Sequence, residues 1–156
     1  MSRVAITISP AAGVLVRDAV TLLQSYLREI FAIEAQLDGK AAQQIIVGLV
    51  DDPLVQETSS ALPALSGQGH LLRRVDETTM LLAGGSDAAT AWAVYELLER
   101  YGVRFLLSGD VLPKQTDEFR LPDVDATFEP VQNLRAWRMI CELPYGPIMW
   151  SLDDQR

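Results

Sequence analysis

The sequence predicts an α+β domain built on a single mixed β-sheet with two main helices packed on one face. Three observations lead there. Met80-Leu-Leu-Ala-Gly-Gly-Ser86 is an apolar run of strand length stopped by two glycines, followed by a helix-length segment that closes at Gly102 and then by a second apolar run. Upstream, residues 4–9, a long amphipathic stretch and residues 43–50 repeat the same strand–helix–strand order. Where the second copy begins, residues 70–75 and 78–83 are apolar runs separated only by Asp76-Glu77, which makes an antiparallel hairpin and turns a parallel sheet into a mixed one.

Each element follows from local chemistry. Val4-Ala-Ile-Thr-Ile-Ser9 alternates β-branched residues and reads as a half-buried strand. Ser9-Pro10 supplies a cap and a proline suited to a first helical turn. The helix is expected to reach about Ala32, burying Leu15, Ala19, Leu22, Leu23, Tyr26, Leu27 and Ile30. Residues 33–37 suit a short edge strand before the turn at Asp38-Gly39. Gln43-Gln-Ile-Ile-Val-Gly-Leu-Val50 is more continuously apolar and belongs near the middle of the sheet. Asp51-Asp52-Pro53 ends it, and residues 54–62 make a short helical turn before a Ser/Pro/Gly-rich loop. The second main helix, residues 87–101, carries Ala88, Ala91, Trp92, Tyr95, Leu98 and Tyr101 on one side, and residues 103–107 follow as a strand. Residues 119–130 hold two prolines in an extended segment, the pattern of an edge strand or a linker.

Composition narrows the function. A 156-residue chain that is 49% hydrophobic supports one domain with a real core. Its net charge of −8 argues against nucleic acid and against anionic membrane surfaces, both of which select basic patches. No segment approaches the length of a membrane span, and the start lacks a signal-peptide pattern, so a natural start at Met1 would make the protein cytoplasmic. Cys141 is the single cysteine and His70 the single histidine. Neither has a sequence neighbour that would activate it, and no nucleophile–base pair, metal cluster or phosphate loop stands out. The reading is therefore no catalytic residue, no cofactor and no metal in this chain.

Gly84-Gly85-Ser86 at a strand–helix junction admits two readings, a tight turn with a helix cap or an anion site on free backbone N–H groups. The missing third glycine, the missing lysine and the neighbouring Asp87 favour the turn. Trp92 and Tyr95 are aromatic faces able to stack on a sugar, but their place on an apolar helix side makes them core residues first. Arg135, Trp137 and Arg138 lie in a strand-like run after the linker, where packing does not require two arginines. They are the candidates for substrate binding.

Together, residues 84–105, with Ser86, Tyr95, Glu96, Glu99, Gly102, Val103, Arg104 and Phe105, and then Gly109-Asp110 and Pro113, resemble the accessory domain that precedes the catalytic barrel in bacterial α-glucuronidases, β-N-acetylhexosaminidases and related glycoside hydrolases. The resemblance implies a β-N-acetylhexosaminidase-like α/β domain over residues 1–130. It also implies that residues 131–156 are a linker and the start of a (β/α)8 barrel, with 134–140 approaching its first strand. In the hexosaminidase branch an arginine on that strand contacts the sugar, which points to Arg138 or Arg135, although Met139 stands where a glycine usually follows. The family's catalytic carboxylates lie deeper in the barrel, outside this chain. The implied partner is the following catalytic domain, with carbohydrate reached through it. Two other readings stay open. One is a free-standing carbohydrate-binding module using Trp137, Tyr145 and Trp150; the other is a small α/β enzyme with an anion site at Gly85, Ser86 and Asp87.

Overall fold

The computed structural model describes residues 4–132. Among these, one six-stranded mixed sheet runs in the order β2-β1-β3-β5-β4-β6. The strands are β1 (Val4–Ile8), β2 (Gln36–Leu37), β3 (Gln43–Leu49), β4 (His70–Arg74), β5 (Thr79–Gly84) and β6 (Asp125–Phe128). β2, β1, β3 and β5 are parallel, while β4 pairs antiparallel with both β5 and β6. The expected edge strand after the first helix, the central position of residues 43–49 and the hairpin are all present. In the hairpin turn, the Thr78 backbone N–H and hydroxyl both donate to Asp76 Oδ1, at 2.7 and 2.8 Å. These bonds hold the Asp76 carboxyl below its ordinary pKa.

The register sorts the side chains into two layers. Ile8, Val47, Leu82, Leu72 and Ala126 are successive partners on one face. Thr7, Ile46, Leu81, Arg73 and Asp125 line up on the other, where Arg73 Nε donates to Asp125 Oδ1 at 2.9 Å. Two long helices, α1 (Val14–Phe31) and α3 (Asp87–Arg100), pack together over the first face and enclose the main core. The opposite face has a thinner cover, the short helix α2 (Pro53–Thr58) and the loop behind it, with Val55, Leu54, Leu62 and Leu65 over Ile46, Leu71 and Leu81. Two main helices on one face is thus the observed arrangement, with a third, six-residue helix on the other.

Four details differ from the expectations. α1 begins at Val14, with Gly13 as its N-cap, so Ser9-Pro10 forms a separate turn and Ser9 is fully buried. Its inward face is rotated: Val16 and Val20 are buried, whereas Leu15 is 49% exposed at the first turn. α3 is apolar well beyond one stripe because it lies against the sheet and against α1 together, so Ala89, Thr90, Ala93, Val94 and Leu97 are buried while Trp92 and Tyr95 are half-buried. Finally, residues 103–107 are not a strand. Both edges of β5 are already occupied, by β3 and β4, so a strand leaving α3 cannot pair beside it. Arg104 instead exchanges backbone hydrogen bonds with Val111, and the chain crosses to the far edge to form β6.

Several of the residues that carried the family resemblance prove to be the device that ends α3. Gly102 takes φ +96°, and the Arg104 guanidinium donates to the Glu99 and Val103 carbonyls at 3.2 and 2.8 Å, near the helix's C-terminal end. Pro113 packs 3.4 Å from where a Gly102 Cβ would stand, and Gly109, at φ +121°, turns the chain back.

Tyr101 closes the far end of the core against Phe31, with ring centroids 5.0 Å apart. Among the described residues its buried hydroxyl has no hydrogen-bond partner, and burial pushes the phenol pKa up. Removing an unsatisfied buried hydroxyl relieves a desolvation penalty, so Tyr101→Phe is expected to stabilise the protein by about 1 kcal/mol. Urea titration checks this, and a clear loss of stability would show that the hydroxyl is satisfied.

Candidate functional site

In open α/β sheets, ligand sites form at the carboxyl ends of parallel strands, where successive connections leave on opposite faces. That place here lies between β1, whose connection leads to α1, and β3, whose connection leads to α2 on the other face. An open cleft of ≈ 730 Å³ lies there, lined by residues that include Thr7, Pro10, Arg17, Asp38, Asp52 and Glu57.

The electropositive groups usually offered to an anion at such a place are already engaged by the protein's own side chains. The Asp52 carboxylate caps α2, accepting from Leu54 N–H at 2.9 Å, and also accepts the hydroxyl of buried Ser9. Asp87, the first residue of α3, reaches across to α1 and accepts from Gly13 and Leu15 N–H at 2.6 and 3.2 Å. Ser86 caps α3 itself, accepting from Ala89 N–H at 3.2 Å and donating to the Gly67 carbonyl at 2.6 Å. Each helix start on this edge therefore carries an internal oxygen ligand. The effect is to hold the edge together rather than to leave it receptive to phosphate.

The Gly84-Gly85 pair serves the same end. A Cβ on Gly84 would stand 2.6 Å from the Ala89 carbonyl carbon, and one on Gly85 would stand 2.8 Å from that of Ser66. Gly85 N–H donates to the Gly69 carbonyl at 2.9 Å. The glycines let the start of α3 and the 66–69 loop close onto β5, so the turn-and-cap reading of Gly84-Gly85-Ser86 describes the geometry. The signal for this was present in the sequence as two adjacent small residues. Their packing partners, nearly twenty residues upstream in one case, were not.

His70 is the first residue of β4, stacked on Phe128 at 4.9 Å between centroids, with Trp92 edge-on at 6.2 Å. Tyr95 packs on Phe105, edge-to-face at 5.3 Å. Trp92 and Tyr95, adjacent on the expected apolar side, therefore belong to two different aromatic groups. The substrate-binding candidates Arg135, Trp137 and Arg138, together with Cys141, Tyr145, Trp150 and the expected strand at 134–140, lie outside the described residues. Among the described residues no group of three or more His, Cys, Asp and Glu side chains could hold a metal ion, and no helix is long and apolar enough to cross a membrane.

No protein-family model matches the chain, and no curated protein matches it. Solved structures do. A family GH115 4-O-methyl-α-glucuronidase with specificity for decorated arabinogalactans matches 79% of this chain with a TM-score of 0.66 and 22% identity. A GH138 enzyme targeting pectin rhamnogalacturonan II matches 62% with a TM-score of 0.46 and 13% identity. This chain spans only 17% and 10% of those two chains. The fold of about four-fifths of this chain is thus similar to that of one small part of a much longer glycoside hydrolase chain.

Proposed function

We propose that this chain is a non-catalytic N-terminal domain of a carbohydrate-active glycoside hydrolase, supporting a catalytic (β/α)8 barrel that follows it, with residues 131–156 leading into that barrel. The observation that carries this reading is the likeness of most of this chain to 17% of a glucuronidase chain. The internally capped strand edge agrees with it: the place where an α/β enzyme would hold its substrate is tied together by Asp52, Asp87 and Ser86. The acidic composition suits a partner and substrate other than nucleic acid.

Two measurements test the proposal. The coding frame beyond Arg156 is expected to continue for a few hundred residues with alternating strand and helix patterns; a stop codon there would overturn the reading. The 156-residue chain is expected to leave 4-nitrophenyl glycosides, glucuronide included, unhydrolysed, and sustained turnover by it would overturn the non-catalytic role.

A further inference from the structure

A second cleft, of ≈ 660 Å³, lies away from the capped strand edge, where the segment after α3 folds back over the helices. Its walls include Leu22 of α1, Tyr95 of α3, and Phe105, Leu106 and Asp110 of the returning loop. The Tyr95 and Phe105 rings meet at 70° with centroids 5.3 Å apart, which makes two aromatic walls of a corner. Beside it the Tyr26 hydroxyl donates to the Asp110 carboxylate, and Leu106 is 53% exposed. Burial, then the hydrogen bond to Asp110, pushes the Tyr26 phenol pKa up, so the hydroxyl keeps its proton.

Apolar and aromatic walls with a few fixed polar groups are the make-up of a small-molecule site, and the volume falls in the usual range of about 300–1,000 Å³. The ligand chemistry follows from the parts. Aromatic faces suit the C–H face of a pyranose ring, and a carboxylate accepts from sugar hydroxyls through charge-assisted hydrogen bonds. Asp110 is the charged residue of the lining, and Glu29 adds negative potential near Tyr26. An acidic sugar would be repelled.

We infer that the corner formed by Tyr95, Phe105 and Asp110 is a binding site for a neutral saccharide chain. The inference rests on the carbohydrate-active role proposed above. Such a site would let the domain hold uncharged backbone sugars while chemistry takes place elsewhere in the protein.

The test is an NMR titration of the isotope-labelled 156-residue chain with galactohexaose, xylohexaose and mannohexaose, and with hexagalacturonate as the acidic counterpart. At least one neutral hexasaccharide is expected to shift amide resonances around Tyr95 and at residues 105–110, saturating in the millimolar range, while hexagalacturonate leaves them in place. Asp110→Ala, at an exposed position, is expected to weaken binding at least fivefold. Phe105→Leu keeps an apolar side chain but removes the ring face, and is expected to abolish binding in a protein whose circular dichroism is unchanged. The inference is overturned if all three neutral saccharides leave these resonances unmoved, if their shifts map elsewhere, if hexagalacturonate binds as well, or if neither variant weakens binding. A stop codon after Arg156 would sink the accessory-domain reading while the titration still reported on this corner, so the two failures are separable.

Discussion

Gly84→Ala is expected to destabilise the protein by about 3 kcal/mol, the upper part of the range for forcing an extra methyl into a packed interior. The added Cβ would press on the Ala89 carbonyl carbon at 2.6 Å and on Thr90 Cα at 2.8 Å, both backbone atoms of α3. A flexible side chain could move aside; a helix backbone moves only with the helix. α3 is held on its other sides by α1 and by Leu97, Leu98 and Val94 in the core, so the strain cannot be relieved locally. In thermal unfolding the loss corresponds to a drop on the order of 10 °C for a domain of this size. Gly67→Ala is the control, because nothing lies within 4 Å of where its Cβ would stand, and it is expected to leave stability within about 0.5 kcal/mol. Equal melting temperatures for the two variants would refute the close-packing role of the Gly84 turn.

Asp52→Ala is expected to cost about 3 kcal/mol, combining the loss of a helix cap with an unsatisfied buried hydroxyl. Asp52 is 9% exposed and Ser9 fully buried. The carboxylate accepts from both Leu54 N–H and the Ser9 hydroxyl, so its removal strands one donor at the start of α2 and another between β1 and β3. Ser9→Ala alone removes a donor to Asp52 and an acceptor for Ala11 N–H, at 3.1 Å. Once the hydroxyl is gone, deleting the carboxylate leaves fewer groups unpaired. The double variant should therefore be more stable than the sum of the two single losses predicts, by at least about 1 kcal/mol. Additive losses in urea titrations would show that the two side chains act independently.

These two predictions concern residues whose importance was unevenly visible beforehand. Gly84-Gly85-Ser86 announced a turn and a cap because two glycines before a serine and a helical pattern have few other local solutions. Asp52 stood out in the sequence only as part of Asp51-Asp52-Pro53, the turn that ends a strand. Only Asp52 is folded inward, and its partner Ser9 lies 43 positions away. Asp87 similarly read as a deterrent to anions, whereas in the fold it is the ligand that occupies the start of α1, 74 positions upstream.

What the amino-acid sequence determined by itself was the local menu: where strands and helices form, that residues 43–49 sit centrally, that residues 70–84 make a hairpin, and that two main helices share one face. All of these follow from periodicity, from turn residues and from apolar continuity, which act over a few residues. Tertiary structure decided the rest. Residues 103–107 have the β-branched and aromatic content of a strand, yet β5 had no free edge, so they became the loop that builds the Tyr95–Phe105 corner. The inward face of α1 was set by packing against α3 as well as the sheet, which rotated Leu15 outward. Which helix start each carboxylate would satisfy depended on loops meeting at the carboxyl ends of three parallel strands. Hydrogen bonds and edge pairing between distant segments are absent from any local window of sequence, because they exist only once the chain has brought those segments together.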